Sequence, residues 1–270
     1  MLKQIEDTAG FLNEFISEVP LAGIILGTGL GDFDKEIETE VVIPYKDIPN
    51  FPVSTVEGHA GNLIYGRINK MPIIAMQGRF HFYEGYSMKE IIFPIRVMKY
   101  LGIKYLFVSN ASGGMNPEFN IGDIMIITDH INCMPNPLIG KHYQEFGERF
   151  PDMSNAYDKE LVIKAKEIAL KKEIKVHTGC YVAVTGPTFE TPKEYEYYRT
   201  IGADNIGMST VPEIIAAVQM GIRCFALSVI TDLGIPGSID KITHNEVQAA
   251  AKKAEWKIAG IIKSLISELK

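Results

Sequence analysis

Short apolar runs broken by polar and glycine-containing segments recur along the chain: Ala22 to Leu26, Pro72 to Met76, Tyr105 to Val108, Asp123 to Thr128, Cys180 to Val184 and Cys224 to Ile230. Each is rich in Ile, Val or Phe and gives way to Gly, Ser, Thr, Asn or His, the pattern of buried strands that feed functional loops. Between several of them apolar positions recur at helical spacing. One such stretch runs from Asn155 to Lys172. The tail from His244 carries Val247, Ala251, Ala254, Ile258, Ile261 and Leu265 as a single stripe. The segments SMKE (87–90), TPKE (191–194), TVPE (210–213) and THNE (243–246) each fit a capping box, in which a hydroxyl and a carboxylate satisfy backbone N–H groups left unpaired at a helix start.

This alternation predicts an α/β fold, a single domain over residues 1–270 built on a twisted mixed central β-sheet flanked by helices. No Ser/Gly-rich linker, repeat or low-complexity segment divides the chain. The stretch from Asn132 to Ser154 stands apart as a long loop holding Pro135, Pro137, Gly140, Gly147 and Pro151. Loops of that length in a compact domain usually line a site or an interface.

Composition narrows the function classes. A net charge of −6 with scattered basic residues argues against nucleic acid as partner, since backbone binding leaves a concentrated basic face. No run reaches the roughly 18 to 20 apolar residues of a membrane span. The first residues alternate charges with Ile5, Leu12, Phe15 and Ile16 at helical spacing and lack the pattern of a signal peptide, which points to the cytoplasm. Cys133, Cys180 and Cys224 are far apart and lack metal-ligand spacing, so they read as buried free thiols, with no metal expected.

Candidate chemistry collects where strands end. GTGLG (27–31) follows AGIIL, but it lacks the last glycine of a dinucleotide fingerprint and the lysine of a P-loop. VEGHAG (56–61) sets His59 between glycines, SNASGG (109–114) follows YLFV, and GMSTVPE (207–213) opens a helix. Such loops offer many hydrogen-bond donors and little bulk, which suits phosphate, and Arg79 of QGRFHFYEGY (77–86) adds a charged bidentate donor with His81 as another. Singly, each has a plainer reading. His59 could be a structural hydrogen bonder, Ser209 part of a helix start, and Arg79 a surface partner of Glu84.

Taken together, GTGLG, TVEGHAG, QGRFHFYEGY, SNASGG, GPTFETP and GMSTVPE, in this order across residues 27–213, resemble the trimeric purine nucleoside phosphorylases. The resemblance covers nearly the whole chain and implies a phosphorylase/hydrolase-like fold. It also implies a pentosyltransferase of purine salvage that takes a purine nucleoside and phosphate to the free base and ribose 1-phosphate, or its deoxy equivalent, without a cofactor. On this basis Thr28, His59, Arg79, His81, the backbone at Ala111 and Ser209 would hold phosphate. Tyr83, Met208 and His244 would contact the sugar. Phe189, Glu190, Ala111, Ser112 and Gly207 would line the base pocket. The family is a homotrimer in which a neighbouring subunit lends an aromatic ring to the sugar site, and Phe150 stands at that position.

The resemblance also locates a departure. The family usually carries Asn at the end of the strand reading SVIT, facing N7 and the 6-substituent of the purine; here SVITDLG places Asp232. An ionised Asp accepts hydrogen bonds and would welcome the 6-amino group of adenine, whereas a protonated Asp could donate to N7. Burial beside phosphate and Glu190 would raise its pKa and favour the acid. His81, Glu190 and Asp232 are therefore the expected catalytic groups. Inosine and guanosine are the expected substrates, with adenosine admitted through Asp232. Two other readings stay open: a methylthioadenosine phosphorylase, which also has Asp here but lacks Glu190 and the RFHFYEG sequence, and a nucleoside-binding module without turnover.

Overall fold

In the computed structural model, residues 1–28, 31–56, 60–235, 237, 239 and 241–269 are described. His59 of the expected phosphate set lies outside them, as do parts of GTGLG and VEGHAG. The strands are β1 (Ala22–Leu26), β2 (Glu38–Pro44), β3 (Asn62–Ile68), β4 (Met71–Gln77), β5 (Tyr105–Gly114), β6 (Ile124–Asn132), β7 (Val176–Ala183), β8 (Asn205–Gly207) and β9 (Arg223–Leu233). The helices are α1 (Leu2–Asn13), α2 (Met88–Ile91), α3 (Phe93–Tyr100), α4 (Lys159–Lys171), α5 (Pro192–Thr200), α6 (Val211–Gln219) and α7 (His244–Ser267).

Among the described residues the strands form one sheet in the order β2-β3-β4-β1-β5-β8-β7-β6-β9. It is mixed: β1 lies parallel to β4 and β5, while β2, β3 and β4 form antiparallel neighbours. Past β5 the sheet closes on itself, because β9 pairs in parallel with β5 and antiparallel with β6. The predicted mixed α/β architecture is therefore the observed one.

Helices cover both faces, and β1 shows why its apolar run is continuous. Ile25 packs on the side of α1, α3 and α6 with Ile5, Leu12, Val97 and Ile214, whereas Ile24 and Leu26 pack on the side of α4 and α7 with Leu161, Ala165, Ile258 and Ile262. Successive side chains point to opposite faces, so burial on both leaves no polar position. The predicted stripe of α7 is buried throughout, from Val247 to Leu265.

Several expectations need correction. The strands at SNASGG and SVITDLG do not stop where the apolar runs stop: β5 continues to Gly114 and β9 to Leu233. The small residues are part of the ladder, and a side chain at Gly113 would press on Oδ2 of Asp232, 2.9 Å from its Cβ. α4 begins at Lys159 rather than Asn155, capped by the Asp158 carboxylate, which accepts from the N–H of Leu161 at 3.0 Å. α1 ends at Asn13, leaving Phe15 outside the helix and 40% exposed. Only Cys224 is a buried thiol; Cys133, where the chain leaves β6, is exposed and Cys180 is half-buried.

The long loop after β6 contains only a short 3-10 turn, Gln144–Phe146, yet it is pinned to the helices beneath it. The Arg96 guanidinium of α3 sits 3.8 Å from the centre of the buried Phe146 ring. Gln219 of α6 donates to the carbonyl of Glu148 at 3.0 Å. A loop held this way presents its next aromatic residue, Phe150, outward at 87% exposure.

Candidate active site

The carboxyl ends of β1, β4, β5 and β9 converge with the turn after β8 and the start of α7 on one cavity of about 500 Å³. Such convergence at strand ends is the usual place for a ligand in an α/β sheet. Thr28, Arg79, His81 and Ser209 line it with Ala111. So do Tyr83, Met208 and His244, and so do Ser112, Phe189, Glu190, Gly207 and Asp232. Arg79 and Glu190 thus face the same cavity. Phe150 is not among its walls.

The environment of Arg79 excludes the surface pairing with Glu84. Arg79 is 2% exposed. Its Nη1 donates to Thr210 Oγ1 at 3.1 Å and approaches Glu213 Oε1 at 3.4 Å, and its Nη2 donates to the carbonyl of Ser109. These contacts also correct the reading of TVPE as a capping box. Thr210 precedes α6 without a side-chain cap bond and holds φ at 73°, a left-handed backbone unusual for a β-branched residue. Its hydroxyl and the Glu213 carboxylate turn to the arginine instead of to the helix start.

Donor counting then assigns a direction to Ser209. Thr210 Oγ1 also accepts from Asn110 Nδ2 at 2.9 Å, so with Arg79 both of its lone pairs are used. Its own proton therefore points to Ser209 Oγ, 3.1 Å away, and the Ser209 hydroxyl keeps its proton for another acceptor.

His81 is held differently. Glu84 Oε1 lies 2.9 Å from its Nδ1 and also accepts from its backbone N–H at 2.7 Å. Burial opposes the charge of Glu84, but hydrogen bonds from His81 and Thr55 outweigh it and bring the pKa down to about 2. Burial lowers the pKa of His81, only partly offset by Glu84. A neutral ring facing an ionised carboxylate carries its proton on Nδ1, which makes Nε2 an acceptor rather than the donor expected from sequence. The ring stacks on Tyr83 at 4.7 Å between centroids.

A second network holds Asp232. Asp232 Oδ1 lies 2.9 Å from Thr231 Oγ1, and Oδ2 lies 3.3 Å from the hydroxyl of Tyr195 on α5. The Glu190 carboxyl lines the same cavity. Burial raises the pKa of Asp232 against the pull of these hydrogen bonds. Burial, with the nearby Asp232 charge contributing, pushes Glu190 up to about 7. Tyr195 and Glu213 were missed as functional residues. Tyr195 sits in the polar-looking helix EYEYYRT, and Glu213 has the spacing of a helix cap.

Among the described residues no group of three or more His, Cys, Asp or Glu could hold a metal, and no helix is long and apolar enough to cross a membrane.

The buried Arg79 network offers charged donors suited to an oxyanion, and the Glu190 and Asp232 carboxyl groups on the same cavity can meet the polar edge of a second molecule. The family model of the phosphorylase superfamily matches residues 22–267. Purine nucleoside phosphorylase 1 of Bacillus subtilis is 50% identical over 99% of both chains. The crystal structure of Schistosoma mansoni purine nucleoside phosphorylase in complex with adenosine superposes with a TM-score of 0.94 at 40% identity, covering 100% of this chain and 98% of the other. A schistosoma purine nucleoside phosphorylase in complex with hypoxanthine matches at a TM-score of 0.94 and 39% identity, with the same coverage. The chain belongs to the phosphorylase superfamily and, within it, to the purine nucleoside phosphorylase family.

Proposed function

We propose that the chain catalyses the reversible phosphorolysis of purine nucleosides, giving the free base and ribose 1-phosphate or deoxyribose 1-phosphate. The observation that carries this reading is the sharing of one cavity by the Arg79 network and the carboxyl groups of Glu190 and Asp232. A nucleoside in that cavity places its sugar between a bound phosphate and the carboxyl groups.

Cleavage of the bond between the sugar and N9 leaves cationic character on the sugar and sends the electron pair to the purine, so both charges must be stabilised as they grow. Phosphate, gripped by Thr28, Arg79, Ser209 and the backbone at Ala111, supplies negative charge and the oxygen that bonds to the anomeric carbon. His81 accepts a hydrogen bond from a protonated phosphate oxygen or a sugar hydroxyl. Tyr83 and Met208 bound the sugar, and His244 meets its 5′-hydroxyl. Phe189 and Gly207 flank the base, Glu190 accepts from the ring N–H of a 6-oxopurine, and a protonated Asp232 donates to N7.

Release of free base should depend on added phosphate; release without it would indicate a hydrolase, and none at all a binding module. Asp232→Asn should lower the adenosine to inosine ratio of kcat/KM by about 10-fold or more, because it replaces an acceptor of the 6-amino group with a group that also donates. An unchanged ratio across inosine, guanosine, adenosine and methylthioadenosine would refute the specificity role of Asp232.

The proposal extends to a homotrimer in which Phe150 of one chain closes the sugar site of the next. Its support is the combination of an outward Phe150 and a loop anchored through Phe146. Phe150→Ala should raise the nucleoside KM about 10-fold through lost apolar contact. It should change the melting behaviour of the chain by less than about 0.5 kcal/mol, as for other exposed positions. An unaltered KM would remove Phe150 from the site.

A further inference from the structure

Resting on the phosphorolysis reading, we propose that the site admits purine nucleosides carrying a large apolar substituent on the 6-amino group, and that this substituent lies in a second cavity behind the base. That cavity measures about 780 Å³. Phe189, Glu190, Thr231 and Asp232 line it and the first cavity alike, so the two adjoin along residues already assigned to the base. The shared wall is not sealed off: Phe189 is 43% exposed, and Glu190 and Asp232 are half-buried.

The first turns of α7 divide their side chains between the two spaces. His244 and Val247 line the first cavity, whereas Glu246, Ala249, Ala250 and Lys253, at the spacing of one helix face, line the second. Two alanines in the middle of that face leave room beside it. Leu233, Ile239 and Ile242 are only half-buried around the same space, apolar surface that an apolar group would remove from water. The charged groups leave the middle free. Lys241 and Lys253 are exposed, and the Glu246 carboxylate is engaged in the helix cap, accepting from the Thr243 N–H at 2.8 Å and its hydroxyl at 2.7 Å.

The purine ring supplies the direction. Its C6 stands between N1 and the N7 edge. With Glu190 at N1 and Asp232 at N7, whatever C6 carries leaves the ring between the two carboxyl groups, toward the wall that the cavities share. Asp232 keeps its place in that wall through Thr231, 2.9 Å from Oδ1, and Tyr195, 3.3 Å from Oδ2. An adenosine benzylated on its 6-amino group has the ring nitrogens of adenosine and retains one 6-N–H for Asp232 to accept. The bond that breaks, between the sugar and N9, and the phosphate oxygen that replaces it are the same in both nucleosides, so the products are the sugar 1-phosphate and the substituted adenine. Only the fate of the added group differs, and the second cavity provides for it.

The test compares adenosine with its 6-N-benzyl derivative in phosphate-dependent turnover by the wild type and by Ala250→Phe. Ala250 lines the second cavity and not the first, so the variant fills the space behind the base and leaves the rest of the site as it is. The wild type should cleave the benzyl derivative with a kcat/KM within about 10-fold of that for adenosine. Ala250→Phe should lower the value for the benzyl derivative by about 10-fold or more and change that for adenosine by less than about 2-fold. A larger deficit in the wild type overturns the proposal. So does equal turnover of the benzyl derivative by both proteins, which would place the benzyl group outside this cavity. Should the variant fail to fold, or adenosine be cleaved poorly, inhibition of wild-type inosine phosphorolysis by the free bases decides. 6-N-benzyladenine should inhibit at least as strongly as adenine, and weaker inhibition overturns the proposal. Failure of the phosphorolysis reading itself would show separately, as wild-type protein that releases no base from inosine or adenosine when phosphate is added.

Discussion

Arg79→Met is expected to abolish phosphate-dependent turnover and to weaken the fold at the same time. Arg79 and Glu213 are both about 3% exposed at their side chains, and their contact at 3.4 Å is the charge pairing beneath the cavity. Removing one partner of a buried pair leaves the other charge uncompensated, at a cost of about 3–5 kcal/mol. Catalysis suffers for a different reason. The phosphate loses its charged donor, and the loss of such a transition-state contact costs about 10²–10³-fold or more in rate. The two effects separate in the double variant Arg79→Met with Glu213→Gln. Urea unfolding should recover most of the lost stability, because no buried charge is left alone, while phosphate saturation stays as poor as in the single variant. Recovery of turnover in the double variant would show that Arg79 serves the fold and not the oxyanion.

The same pair marks where sequence reasoning reaches its limit. The boundaries of β1 and the start of α7 follow from local chemistry: an unbroken apolar run in one case, and in the other a Thr243 hydroxyl and Glu246 carboxylate that form the predicted cap. The caps at Ser87 and Thr191 are formed as well. TVPE has equal local credentials and fails, since Arg79, 131 residues from Thr210 along the chain, competes for its hydroxyl. Local pattern cannot register that competitor. β2 escaped notice for the opposite reason: as an edge strand with exposed Glu38, Thr39 and Glu40 it has no alternating apolar face to read. The small residues of β5 and β9 look like loop because their function is close approach of backbone and carboxylate, not burial of apolar side chains.

The site divides along the same line. Arg79 and His81 stand out because their motif is unusually polar for a strand end, whereas Glu190 and Asp232 are reached only through the family resemblance. Tyr195 is reached by neither route, since the sequence around it reads as an exposed helix and its partner Asp232 lies 37 residues away. The tautomer of His81 is likewise a property of the folded state, set by Glu84 once both are buried. Residue types were legible; which atom donates was not.

Glu190→Gln should lose activity and gain stability, with the gain confined to the alkaline side. The carboxylate is the acceptor for the ring N–H of a 6-oxopurine, and an amide in its place keeps the shape but not the charge. Charge-assisted hydrogen bonds are roughly twice as strong as neutral ones, so kcat/KM for inosine should fall by about 10²-fold. The stability effect follows from burial raising this carboxyl to about 7. Between the ordinary Glu value and that figure, the folded protein holds the proton more tightly than the unfolded chain. The contribution of Glu190 to stability is therefore fully present below the unfolded value and is lost as pH rises through 7. Glutamine has no proton to lose. Measured by urea unfolding, the variant should exceed the wild type by about 1–2 kcal/mol at pH 8, after allowance for partial exposure of the group, and the difference should shrink toward zero near pH 5. A variant less stable than wild type at pH 8 would mean that the Glu190 carboxylate is well satisfied in the empty cavity and that no burial cost is stored there for the base to relieve.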